Sequence, residues 1–242
     1  AGIFPDFEEK LRIMPDYSLG FERNTPPEGY PMYGGKARFF NKIGVSDKGM
    51  RGNGKLNYVT STTMSDDYTF FPDSMIARAQ SQVIEENPVA VEFPPASAHD
   101  VDIHWEPYKD FMRTTVVNES IAMYDGSKLD GHIVISPEGL TGGGLYMFDQ
   151  AELEADLFSF KFSDFKSDTA DFRLKTLEES ALAFSTNNVN AHVDFKERKG
   201  TFLSNGGGSF IEFTINQYIC FMDKITWFMD DEWIELGADA VA

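Results

Sequence analysis

The chain writes one pattern twice. "VSDKGMRGNGKL" begins at Val45 and "ISPEGLTGGGLY" begins at Ile135, each setting three glycines at spacings of three and two directly after a β-like stretch. At a constant offset of 90, Ile43 falls on Ile133, Val45 on Ile135, Ser46 on Ser136, Gly49 on Gly139, Met50 on Leu140, Gly52 on Gly142 and Gly54 on Gly144. The match resumes downstream, where Val101, Ile103 and Trp105 meet Ala191, Val193 and Phe195 at the same offset. A looser match sets Asp73-Ser74 on Asp168-Thr169 after a shift of five. A unit recurring at a fixed period points to an architecture in which successive copies stack on their neighbours.

Within each copy the grammar is that of strands and turns. Short alternating stretches such as "ARFFNKIGV", "KLNYVTSTT", "DVDIHW", "HIVIS", "LFSFKF" and "SFIEFTI" are mostly closed by Gly, Asn, Asp, Ser or Pro. The segment 74–86, "SMIARAQSQVIEE", carries apolar residues at 75, 76, 79, 83 and 84 and reads either as one helix or as a strand. The class is therefore all-β. A β-solenoid of the parallel β-helix kind, with two internal repeats of about 90 residues and glycines at its corners, is the favoured design, and two tandem β-sandwiches are the alternative. No linker separates the copies at "AMYDGSKLDGHIVI". The expected organisation is a proline-rich capping segment over 1–34, a first β repeat over 35–128 and a second over 129–242, packed as one domain.

Charge limits the partners. Acidic residues number 39 against 21 basic, a formal net charge of −18. Such a surface repels phosphate backbones and anionic lipid, so nucleic acid is excluded as a partner, while cations remain open. No apolar run reaches the roughly 18 residues of a spanning helix, so no membrane insertion is expected. Cys220, the single cysteine, permits no internal disulfide and lies in an apolar run as a small hydrophobe would.

Catalytic signatures are not legible. The "GNG" and "GGG" stretches are not followed by Lys-Ser/Thr, no Gly-x-Ser-x-Gly occurs, and His99, His104, His132 and His192 show no ligand-like spacing. Alternation along "HDVDIHW" sets Asp100, Asp102 and His104 on one outward face, with Asn190, His192 and Asp194 at the corresponding places of the second copy. Oxygen-rich loops hold calcium, so Asp164, Asp168 and Asp171 in "SDFKSDTAD" are the candidate metal ligands and calcium the candidate ion; Asp230, Asp231 and Glu232 form a second acidic cluster. Trp105, Tyr108 and Trp233 are the candidate ligand platforms, aromatic faces beside acidic acceptors being suited to carbohydrate.

The run "DGHIVISPEGLTGGGLYMFDQAELEADLFSFKFSDFKSDTADFRL", with "AFSTNNVNAHVDF" and "FLSNGGGSFIEFTINQYICFMD", resembles the repeat region of very large β-rich envelope proteins of Bacteroidota-type bacteria, over about residues 36 to 236. That resemblance implies a periplasmic or extracellular scaffold whose partner is a protein or polysaccharide of the cell envelope, and no catalytic residues. A looser similarity is to lipid-conducting β-groove proteins of the AsmA and TamB type, although here charged residues interrupt most strands. The expected function is a structural or interaction module. The alternatives are a carbohydrate-active β-helix (a polysaccharide lyase, hydrolase or binding module) and a lipid carrier.

Overall fold

The computed structural model describes residues 10–124, 126–176, 181–206, 210–231 and 233–237. Glu232 and part of the 1–34 segment fall outside the described residues. Among the described residues, apart from one 3₁₀ turn at Pro107–Lys109, the regular structure is strand. After β1 (Arg12–Ile13), a first series runs β2 (Leu19–Asn24), β3 (Tyr30–Met32), β4 (Ala37–Ser46), β5 (Gly49–Tyr58), β6 (Ser61–Phe70), β7 (Met75–Ile84) and β8 (Ala96–Glu106). A second series repeats it element for element: β9 (Phe111–Val116), β10 (Ile121–Met123), β11 (Ser127–Ser136), β12 (Gly139–Met147), β13 (Ala151–Phe160), β14 (Asp164–Lys175) and β15 (Leu182–Asp194). A third then begins with β16 (Lys199–Ser204), β17 (Phe210–Phe213), β18 (Tyr218–Phe221), β19 (Lys224–Phe228) and β20 (Ile234–Gly237).

Register proves the repetition. Phe21 lies opposite Val45, Met112 opposite Ile135, and Gly200 opposite Trp227; likewise Tyr30 faces Phe39, Ile121 faces Leu129, and Ile211 faces Cys220. The third copy is hidden in the sequence because the strand that is unbroken as β4 and β11 is interrupted at Met222–Asp223, leaving β18 and β19. Cys220 occupies the place of Phe39 and Leu129 and is buried like them. The repeat thus starts at β2, inside the expected capping segment, and the expected division at 128/129 falls within β11.

Every strand pairing among the described residues is antiparallel, in one sheet that passes from copy to copy without a break. This corrects the parallel β-helix expectation. Turns as short as 47–48, 59–60 and 137–138 can only reverse the chain into the neighbouring strand, whereas parallel neighbours need a long crossover. Segment 74–86 is the strand β7: Met75, Ala77, Ala79, Gln82 and Ile84 are buried while Ile76, Arg78 and Gln80 are exposed. Pairing along both edges, with β6 and β8, overrides its helix-forming composition.

Of the repeated glycines, Gly49 and Gly139 close the 47–48 and 137–138 turns, whereas Gly52, Gly54, Gly142 and Gly144 lie within strands and do not mark solenoid corners. Between β5 and β6 the register slips between Gly52 and Gly54, and between β12 and β13 it slips between Gly142 and Gly144, a β-bulge at one place in both copies. Gly54 and Gly144 have φ of 145° and 130°, and a Cβ would sit 2.1 Å from the Phe40 carbonyl oxygen or 2.2 Å from that of Asp130.

The bulges help a sheet with one apolar face to curl over that face. Because strands alternate in direction, the turns preceding β4, β6, β8, β11 and β13 lie along one rim, and those preceding β5, β7, β9, β12, β14 and β16 along the other. The rims meet. Tyr33, before β4, donates its hydroxyl to the carbonyls of Phe71 and Ser74 at 2.8 and 2.6 Å, and its ring meets Trp105 edge-on at 5.1 Å. One copy later Tyr124 donates to Lys161 and Asp164 at 2.7 and 2.8 Å and stacks on Phe195 at 4.1 Å. These contacts make Ser74 the counterpart of Asp164, so the looser match of Asp73-Ser74 to Asp168-Thr169 does not hold. Similarly, Met75 faces Trp105 and Phe165 faces Val193, so Trp105 corresponds in register to Val193 while Phe195 reaches back from the following turn to fill the same space. Aromatic rings dominate the enclosed core, including Phe39, Tyr68, Tyr146, Phe158, Phe165, Phe172 and Phe202.

Candidate functional site

The expected ligand platforms separate. Trp105 is fully buried between Tyr33 and Tyr58 and offers no face to a ligand. Tyr108 is exposed on the 3₁₀ turn and touches Tyr33 edge-on, and Trp233 is exposed and stacked on Phe228 at 4.4 Å. The turns carrying Tyr108 and Trp233 belong to the first and third copies.

The candidate metal ligands are likewise engaged one by one along β14. Asp164 lies 3.3 Å from His192 Nε2, Asp168 accepts from Asn190 Nδ2 at 3.4 Å, and Asp171 accepts from the Asn188 backbone N–H at 3.1 Å. Among the described residues no group of three or more His, Cys, Asp or Glu side chains converges as a metal site would require. Asp230 is committed to Arg198, whose guanidinium holds its carboxyl below the usual range.

Asp100, Asp102 and His104 do share the outward face of β8, and register shows what they face. Arg78 on β7 lies directly opposite Asp102; its Nε donates to Asp100 at 2.7 Å and its Nη1 to Asp102 at 3.1 Å. These bonds raise the Arg78 pKa, and the Arg78 hydrogen bond, followed by that from Asn118, lowers the Asp100 pKa. Asp100 itself has φ of 52°, a left-handed conformation that Asp and Asn tolerate. In the second copy the corresponding residue is Asn188, also at φ 52°, Asn190 replaces Asp102, and Asp168 replaces Arg78. One guanidinium between two carboxylates becomes one carboxylate accepting from the Asn190 amide, so the cluster is a polar brace between neighbouring strands with its charges exchanged between copies.

A feature outside this brace is not repeated. Across the outer face of the first copy, Arg51, Thr69, Ile76, His104 and Arg113 stand opposite one another in a row over β5 to β9. They line a depression of about 630 Å³, with Phe71 and Arg78 also on its wall. Arg51 donates to Asp67 at 3.1 Å and also to Thr69. Arg113 has no hydrogen bond or ion pair among the described residues. Burial and then the charge of Arg113 lower the pKa of His132, which keeps its imidazole neutral at pH 7. Residues spread from 51 to 113 meet here only through strand register, so periodicity in the sequence does not reveal the row. The signal that could have done so is negative: Arg51 and Arg113 correspond to Thr141 and Thr201, two places where the copies disagree.

No helix of the described residues is long and apolar enough to cross a membrane. In the comparisons with known proteins, no family model, curated protein or solved structure matches this chain.

Proposed function

We propose that this chain is a structural and interaction module, a single antiparallel sheet wound as a solenoid in which each copy of the repeat closes rim to rim in the same way. The observation that carries the reading is the recurrence of the tyrosine closure, Tyr33 on Phe71 and Ser74 and Tyr124 on Lys161 and Asp164. A contact rebuilt at the same place in successive copies serves the continuation of a stack, and the aromatic rings on the inward face favour a packed scaffold over a lipid-carrying groove. Placement in a bacterial envelope, in the periplasm or outside the cell, with a protein or polysaccharide partner, rests on the sequence resemblance alone.

Limited proteolysis with calorimetry tests the scaffold reading. Resistance to cleavage over 125–131 and one cooperative unfolding transition are expected of a wound sheet; two stable fragments, or two transitions, would instead mean tandem independent domains. Incubation with neutral and acidic polysaccharides, following new reducing ends, tests the module against the carbohydrate-active alternative: product release would overturn it.

A further inference from the structure

We propose that the depression on the outer face of the first copy binds a small carboxylate with an apolar body, the carboxylate held by Arg113. This does not depend on the scaffold reading. Acidic residues outnumber basic ones 39 to 21, yet Arg113 stands opposite His104 and Val134 and meets no carboxylate among the described residues. From β2 onward every other described arginine has a partner: Arg23 lies over the Tyr30 ring, Arg38 donates to the Glu28 carbonyl, and Arg51, Arg78, Arg173 and Arg198 pair with acids. In so acidic a chain, an exposed arginine that no described acid engages on a concave wall presents donors to which a ligand can bring the acceptor. A guanidinium offers a planar fork of donors matched to a carboxylate.

The fold does not require this arginine. One copy on, Thr201 on β16 occupies its place and Thr141 on β12 that of Arg51, with the same strand register around them. The apolar part of the depression is equally particular to the first copy. Phe71 and Ile76 are 43% and 46% exposed there, large apolar groups left open to a ligand, and their counterparts one copy on are Lys161 and Lys166. The volume of about 630 Å³ falls within the range of small-molecule sites.

The ligand class follows from what the surroundings admit. Asp67 is paired with Arg51, and Asp100 and Asp102 share Arg78, so Arg113 is the one cation of this wall that no described carboxylate engages. The net charge of −18 disfavours a polyanion, whereas a ligand with one negative group pays little of that repulsion. A body of aliphatic or aromatic carbon then covers Phe71 and Ile76.

Isothermal titration of the whole chain with octanoate and phenylacetate, with octanamide and phenylacetamide as uncharged controls and inorganic phosphate as a plain anion, tests this. A carboxylate is expected to saturate one site, with its amide at least about tenfold weaker. Arg113→Gln should impose the same loss without changing Tm, Arg113→Lys should retain part of the affinity, and Thr201→Arg on β16 should leave it unchanged. Failure of both carboxylates to saturate by about 10 mM, equal binding of the amides, unchanged binding by R113Q, or phosphate binding as well as the carboxylates would each overturn the proposal.

Discussion

Tyr33 and Tyr124 stand one repeat apart and do the same work. Each sits at the rim in a left-handed backbone conformation, with φ of 52° and 41°, and shares its single hydroxyl proton between two carbonyls of the turn it closes on. Burial pushes both phenols well above their ordinary pKa, so both remain protonated donors.

Removing either hydroxyl should therefore cost stability. Tyr33→Phe and Tyr124→Phe are each expected to destabilise by about 0.5–1.5 kcal/mol, the range for the net loss of a hydrogen bond, since the accepting carbonyls keep access to water. Their effects should add within about 0.5 kcal/mol, since the two closures share no partner. Urea unfolding of the single and double variants measures both.

The bulge glycines should be far less replaceable than glycines in open places. Gly54→Ala and Gly144→Ala force a Cβ onto a carbonyl oxygen at a φ that alanine avoids, and a loss of at least about 2 kcal/mol is expected for each. Gly237→Ala, with no neighbour within 4 Å of a Cβ, should stay within about 0.5 kcal/mol of the parent. Thermal unfolding distinguishes them.

The exchanged brace predicts a rescue. Arg78→Asp alone gathers three carboxylates in the first brace and should lower Tm at pH 7, whereas R78D combined with Asp100→Asn and Asp102→Asn copies the second brace and should restore it. The pH dependence has a definite sign. Asp100 has a depressed folded pKa, so its contribution is present above the ordinary value of 3.8 and disappears as pH falls through the folded value. The parent should thus lose stability in strong acid, while the R78D variant should recover relative to it as pH drops toward about 4 and its crowded carboxylates protonate. Tm measured from pH 7 downward checks both trends.

The two tryptophans should part company. Trp105→Ala empties space at the junction of two rims and is expected to cost about 3–5 kcal/mol, whereas Trp233→Ala, on an exposed ring, should fall near about 0.5 kcal/mol. Any retention on polysaccharide should then respond to Trp233 or Tyr108 in variants whose unfolding is unchanged. Denaturation curves and retention assays on the same preparations separate the two effects.

Strand and turn chemistry made the all-β class readable, because period-two alternation and turn residues act over a few neighbouring positions. The repeat was equally readable at Ile43/Ile133 and Gly54/Gly144, where both copies need the same inward residues and the same bulge. Segment 74–86 was ambiguous because Met75, Ile76, Ala79 and Val83 also satisfy a helical spacing, and only partners on both edges resolve it. The candidate sites were harder still. Asp164, Asp168 and Asp171 are close in sequence yet are drawn apart by separate partners, while Arg51, Arg78 and Arg113, far apart in sequence, are brought onto one wall.

By itself, the sequence determined that the chain is made of short strands, that it repeats, and that it carries a strongly acidic surface, since these are properties of local pattern and composition. Tertiary structure alone decided that the strands run antiparallel in one sheet, that a third copy begins at β16, and that Arg113 meets no acid among the described residues. The reason is that a strand takes its hydrogen-bond partners and its buried face from neighbours that may lie anywhere in the chain, and a shift of one residue in register exchanges core for surface.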